Sequence, residues 1–433
     1  MAAHRRPATT TKKARQGMEI RFGTKQGIAA DPAAPEERDA RLSGSLSGTN
    51  LERAGQYNLR TVLQAIRVDQ DTTRVAIARK TGLTAATIAN ITGRLIEMGL
   101  LRNAGRRQGG RGQPALRLQI NPDGAFSIGL NVDRDHLTLV TLDLAGQVRS
   151  RVTREIAFAM PDDVVAFVLD EMDRLIADGG VDRDRMLGVG VAIPDDLGRI
   201  TLPHQPAGYH VWNEIDLTRL LAPVPWPIHR DNDAAAAALG EAEYGTGFDN
   251  PNFFYLLISA GLGGAPVIDR SYRRGATGRS GEIGLMPDPT TDVAGAIVQD
   301  TVSLSALFNR LEAAGFADMS VADLDRDDPA VVHVVDGWLA DAVRSLTAPL
   351  VAIDCLLDPD AILIGGRLPA PLIDRLATGL NTALGTLALP SHAAIMPAMM
   401  AQDAPAVGAA ILPFLDHILP SDSILIQSGR NQG

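Results

Sequence analysis

Two short stretches of the sequence put carboxylates and amides where a ligand could meet them. Asp231-Asn232-Asp233 follow the strand-like run Pro227 to Arg230 and open an alanine-rich helix, Ala234 to Ala242. In open α/β sheets a strand-to-helix junction of this kind lies at the floor of a cleft. A carboxylate accepts two hydroxyl hydrogen bonds at once and an amide can donate as well, so Asn232 and Asp233 suit the vicinal hydroxyls of a polyol. Asp and Asn are also routine helix N-caps, and that plainer role stays open for both. Glu282, between Gly281 and Gly284, carries the same two readings. Ser259 to Gly264, Ser-Ala-Gly-Leu-Gly-Gly, is a glycine-rich turn after an apolar run, a weak signal for phosphate approach.

A second constellation, Thr72 to Arg117, has the residue types that read duplex DNA. Thr72 or Thr73 can cap a short helix with Val75, Ala76 and Ile77 facing inward, and Gly82 ends it in the left-handed conformation of a tight turn. Thr84 caps a second helix, whose Ile88, Ile91, Leu95 and Met98 recur at helical spacing as a buried stripe. The opposite face, Thr84, Ala85, Ala86, Thr87, Asn90 and Arg94, is small and polar, as close approach to a major groove requires. Leu100-Leu101-Arg102 and Ala115 to Ile120 then frame a wing with its tip at Gly105 to Gln113, where Arg106, Arg107, Arg111 and Gln113 reach for the backbone or a groove. The alternative is a helical hairpin with a solvated basic loop. Cap, turn, stripe and wing agree in order and spacing with a winged helix-turn-helix.

The charge is divided along the chain. Residues 1–120 hold 21 Lys/Arg against 9 Asp/Glu, net +12, while the remaining 20 basic and 42 acidic residues give −22. The front suits a polyanion and the back repels one. The single cysteine, Cys355, excludes an internal disulfide and a multi-cysteine metal site, and the eight histidines show no ligand spacing, so no metal is expected. No apolar run reaches the ~18 residues of a membrane span. The first residues, Met1 to Gly17, lack the apolar core of a secretory signal, so a cytoplasmic protein is expected.

These residues need a scaffold. Residues 1–50 read as a disordered tail, and Leu59, Val62, Leu63 and Ile66 mark an amphipathic helix behind the two reading helices. From Ala125 the pattern alternates: strands over 126–132, 137–144, 147–157 and 187–194, with a helix over 161–177 between the last two. A second set runs over 253–264, 267–275 and 361–366, with long helices over 331–357 and 370–387. Two successive meanders followed by helices predict an internally duplicated α/β domain with a cleft between its halves.

In order along the chain, the winged helix, Trp212 to Leu221, Pro227 to Glu241, Phe253 to Gly264, Gly281 to Gly284, Leu356 to Leu368 and Ala404 to Leu412 resemble the ROK family of bacterial sugar kinases and sugar-responsive repressors. The resemblance covers residues 55 to about 415. It implies a duplicated actin-like (ribonuclease H-like) sugar-kinase fold behind the winged helix. It also implies that Asp233 stands where family kinases keep their general base, with Asn232 and Glu282 at sugar-binding positions. Asp231 replaces a glutamate of the usual ENDANAAALGE wording.

The departures favour a regulator. Where family kinases carry a DxGGTK phosphate loop, this chain has Asn131-Val132-Asp133-Arg134-Asp135-His136, which implies two carboxylates facing the phosphate position and no use of ATP. The second phosphate turn lacks its threonine. Leu285 replaces a sugar-contacting histidine, the CxCGxxGC zinc loop is absent from Pro287 to Asp300, and Asp300 stands for a glutamate after it. The expected division is a tail (1–50), a winged helix (51–120) and an effector-binding, oligomerising domain (121–433). The expected protein is a non-enzymatic, cofactor-free repressor of carbohydrate or polyol genes. Its partners would be operator DNA and a small sugar or polyol, and it would work as a homodimer or homotetramer. A sugar kinase with an accessory DNA-binding arm, or a constitutive DNA binder with a decayed pocket, are the alternatives.

Overall fold

The structure, a computed structural model, describes residues 51–106, 116–195, 197–199, 205–317, 319–400 and 403–420. The front of the chain forms α1 (Leu51–Val68), β1 (Thr72–Thr73), α2 (Arg74–Thr81), α3 (Ala85–Glu97), β2 (Leu101–Arg106) and β3 (Leu116–Ile120). The Thr73 hydroxyl accepts from Ala76 N at 3.3 Å, Gly82 ends α2 at φ 70°, and Thr84 accepts from Thr87 N at 3.2 Å. β3 is the middle strand of a small antiparallel sheet, with β1 and β2 on its sides. Ile88 and Leu95 are buried in the expected stripe, joined by Thr92, whose hydroxyl donates to Ile88 O and accepts from Arg74 Nε, both at 2.8 Å. Val75 departs from expectation and is 67 % exposed. At about 100° per residue it lies opposite Ile77, and an eight-residue helix buries one ridge, which Ile77 fills.

The rest of the chain is two sheets of one topology. β4 (Phe126–Val132), β5 (His136–Asp143), β6 (Val148–Glu155), β7 (Met186–Ala192) and β8 (Ile228–Asp231) are ordered β6-β5-β4-β7-β8, with α4 (Pro161–Asp178) packed on one face. After α5 (Asp233–Tyr244) come β9 (Phe253–Ile258), β10 (Leu262–Ile268), β11 (Ser271–Tyr272), α6 (Leu304–Ala313), α7 (Pro329–Leu357), β12 (Ala361–Gly366), α8 (Ala370–Gly385) and β13 (Ala394–Pro397), ordered β11-β10-β9-β12-β13. In each half the first strand is central, an antiparallel meander lies on one side and two parallel strands on the other. The strand expected over 267–275 is broken instead, because Asp269 and Arg270 turn with φ of 53° and 61°. Among the described residues no helix is long and apolar enough to cross a membrane.

The last helix among the described residues, α9 (Ala404–His417), joins these parts. Side chains at Gly129 and Gly190 would collide with the carbonyls of Ala406 and Ala409, and one at Gly408 with the carbonyl of Ala236 on α5. Small residues therefore let α9 lie directly on β4, β7 and α5. Its other side completes the winged-helix core, where Val62, Leu63, Ile66, Ile88 and Leu118 form one cluster with Val407, Phe414 and Leu419.

Candidate effector cleft and nucleic-acid interface

The cleft between the halves is open at its mouth, and about 540 Å³ of space lies within it when the solvent at that mouth is counted. Asp133, Asp195, Asn232, Asp233, Glu282 and Gln299 line it, together with Arg134, Arg279 and the turn Ser259 to Gly264. The three residues expected to contact an effector are thus brought together. Asn232 is the N-cap of α5, its side-chain oxygen accepting from Ala235 N at 3.1 Å, which leaves its NH2 as the group it can offer a ligand. Capping and contact are compatible at this residue. Asp233, 9 % exposed, begins the helix, and one carboxylate oxygen accepts from Ala234 N at 2.8 Å. Asp231 turns away into an ion pair with Arg274, and burial raises its pKa despite that partner.

Glu282 is held by its glycine neighbour. Gly281, at φ 98°, packs against Gly264 so closely that neither position admits a side chain, which pins this loop to β10. Arg279 Nε lies 3.8 Å from the Glu282 carboxylate. Leu285 is half exposed and outside the cleft lining. Asp300 caps its own short helix by accepting from Ile297 N at 3.0 Å, and Gln299 lines the cleft in its place. No sequence pattern singled out Gln299 or Arg279.

Of the pair of carboxylates expected to face the phosphate position, the β4–β5 hairpin turns only Asp133 to the cleft. Asp133 is buried and accepts from the N–H of Arg134 at 2.7 Å, and burial with the charge of Asp135 raises its pKa. Asp135 turns to Arg367 (2.7 Å) and His136 (2.7 Å). Burial opposes both charges, yet the mutual hydrogen bond holds His136 above and Asp135 below their ordinary values, with Arg367 adding to the latter. The residue that meets the glycine turn is Arg134, whose Nη1 would lie 2.9 Å from a side-chain carbon at Gly261. A guanidinium, and not a pair of carboxylates, is thus set against the glycine turn.

The loop without zinc ligands is stapled by a carboxylate. Buried Asp288 accepts from Thr290 N (3.0 Å) and from the hydroxyls of Thr290 (2.6 Å), Thr301 (2.7 Å) and Ser345 (2.7 Å). Burial works against its charge, but these bonds win and lower its pKa.

At the other face, the N-cap Thr84 and Ala85, Ala86, Asn90 and Arg94 of α3 are exposed and Thr87 half-buried. Thr84 and Thr87 share a hydroxyl contact of 2.9 Å, so Thr84 acts first as a cap. Arg79 and Lys80, exposed at the end of α2, extend the basic surface. Arg106 ends β2, whereas Arg107, Arg111 and Gln113 lie outside the described residues.

Between cleft and reader runs α5. Glu243, at its far end, forms an ion pair with Arg67 of α1, and Arg67 donates to Glu243 O at 3.0 Å while its head lies 4.4 Å over the Tyr244 ring. Arg67 is only 5 % exposed. Burial disfavours its charge, but Tyr244 and Glu243 outweigh it, and burial pushes the Tyr244 phenol up to about 12. Arg60 binds the carbonyls of Leu415 (3.0 Å), Asp416 (2.8 Å) and Leu419 (3.1 Å) at the end of α9. Both arginines were missed in the sequence, although two cations seven residues apart beside Leu63 and Ile66 are a signal of a docked helix face.

The profile of the ROK family matches residues 127–414, two thirds of the chain, and a winged helix-turn-helix DNA-binding profile matches residues 56–102. The chain belongs to the ROK family. Among ROK relatives, an uncharacterized protein of Sinorhizobium fredii, y4fQ, is 29 % identical over 74 % of this chain and 80 % of its own length. The xylose repressor of Bacillus subtilis is 24 % identical over 53 % of this chain and 60 % of its own, and that of Lactiplantibacillus pentosus 26 % over 75 % and 84 %. A ROK family transcriptional regulator, described as a homolog of the E. coli MLC protein, superposes with a TM-score of 0.61 at 21 % identity, covering 87 % of this chain and all of that one. These likenesses agree with a winged helix followed by the duplicated ROK fold.

Proposed function

We propose that this ROK protein is a cytoplasmic DNA-binding transcriptional repressor of carbohydrate or polyol genes, released from its operator by a small sugar-like effector. The observation that carries the reading is the cleft itself. It keeps Asn232, Asp233 and Glu282 together, while Asn131 to His136 stand in place of the DxGGTK phosphate loop of the family's kinases. A carboxylate kept at the base position without phosphate apparatus is a hydroxyl acceptor. Effector binding shifts operator affinity only by its differential affinity for two conformations, typically ~1–3 kcal/mol or about 5–150-fold. Closure of the halves would move α5, and with it Arg67 and the winged helix. Two copies in a dimer or tetramer would present two winged helices to paired half-sites.

The test is operator release measured across sugars and polyols, beginning with xylose because two relatives are xylose repressors. Release by one compound, matched by a thermal shift, is expected, and the absence of both across the panel defeats the reading. Asp233 at the base position also leaves a kinase to be tested. A coupled assay with Mg-ATP over the same panel should show no turnover, and saturable turnover that Asp233→Ala abolishes would restore the enzyme.

A further inference from the structure

A group of side chains outside the cleft has no part in the proposed function. His229 on β8 and Asp416-His417 at the end of α9 are far apart in sequence, yet one donor atom from each lies within 4.8 Å of the others. The two imidazoles meet edge to face, with centroids 6.2 Å apart. His229 Nε2 is buried without a hydrogen-bond partner, an uncommon state for a polar atom. Gly188 on β7 leaves it room, because a side-chain carbon there would stand 3.2 Å away. Asp416 is exposed and supplies a negative charge at the open side.

We propose that His229, Asp416 and His417 form a binding site for one borderline divalent transition metal such as Zn2+ or Co2+, with solvent in the remaining position. Two imidazoles and one carboxylate are the donor set of open tetrahedral zinc sites, and the hard cations Mg2+ and Ca2+ prefer oxygen alone. Metal–ligand distances of about 2.0–2.1 Å place tetrahedral donors roughly 3.3 Å apart. Asp416, exposed at the helix end, can turn to close that gap. Arg60, the nearby cation, is turned onto the carbonyls of Leu415, Asp416 and Leu419. Because β8 leads into Asn232 and Asp233, the metal would tie the strand beneath the cleft to the helix end gripped by the DNA-reading domain.

The experiment uses the full chain, stripped with a chelator and returned to metal-free buffer. Co2+ is followed by visible absorption and Zn2+ by calorimetry. One saturable equivalent per chain, with the strong absorption of four- or five-coordinate Co2+ and displacement by Zn2+, is expected. His417→Gln and Asp416→Asn, at the accessible end of α9, should each lose the saturable step with an unchanged far-ultraviolet spectrum, and His229→Gln should lose it too. His210→Gln, an exposed histidine elsewhere, should keep it. Zn2+ should raise the thermal midpoint of the wild type and not of His417→Gln. Lack of a saturable step in the wild type, or an equal one in His417→Gln, overturns the site.

Discussion

The two ends of α5 are built alike and finished differently. Each carries a carboxylate at the edge of a buried helix, Asp233 at the start and Glu243 at the finish. Asp233 borders an open cleft lined with polar groups, whereas Glu243 is closed onto Arg67 of another domain, with Tyr244 stacked beside it. One end is therefore left open to a polar cleft, and the other is closed onto the winged helix. In the proposed function, α5 is the element that would carry movement from the open end to the closed one.

The comparison breaks most visibly at the closed end. Arg67→Met leaves Glu243 largely buried without its partner, and breaking such a pair from one side costs about 3–5 kcal/mol. The lower part of that range is expected in chemical denaturation, and Arg67→Met/Glu243→Leu should recover most of the loss. A single variant as stable as wild type would mean that the domains are not docked through this pair. A control away from both ends is Asp288→Asn, expected to lose about 1.5–3 kcal/mol because charged hydrogen bonds are replaced. The folded pKa of Asp288 is depressed, so its contribution is present above the unfolded carboxylate value and lost as pH falls through the folded one. The stability gap between wild type and variant should be flat from neutral pH down to the unfolded value and shrink below it. A gap that instead grows on acidification contradicts the staple.

At the open end, Asp233→Asn should bind operator normally and lose most of a response worth ~1–3 kcal/mol. Wild-type dose dependence in that variant would leave Asp233 a purely local hydrogen-bonding role in the first turn of α5. The smallest changes belong to the reader. Asn90→Ala should alter operator preference by about 1–3 kcal/mol at one position, and Arg111→Ala should flatten the salt dependence by about one unit without changing preference. Gel-shift titrations over salt and operator variants separate the two.

The reader was legible because its logic is local. Thr73, Gly82 and Thr84 act within three or four residues of themselves, and caps and turns announce such interactions in order. The duplicated halves were legible as repeated apolar runs, but β13 was not, since Ala394 to Pro397 is too short to show a period. The front residues of the cleft were legible by type and by family wording. What Arg134 and Asp135 do was not, because a tight hairpin sends neighbouring side chains to opposite sides and only the fold says which side is the cleft. Arg67 and Glu243 were invisible as a pair because nothing local links a cation on the first helix to a carboxylate so far along the chain.

The position of α9 has a consequence in time. A chain made from its N-terminus releases α1 first, yet the helix that α1 rests on begins only at Ala404. At about 5–20 residues per second, the interval from Val68 to Ala404 is on the order of tens of seconds. Through that interval the apolar back of the DNA reader lacks the helix that covers it. Synthesis thus delivers the reader of this molecule well before α9, the last of the described helices, arrives to join α5 in holding it.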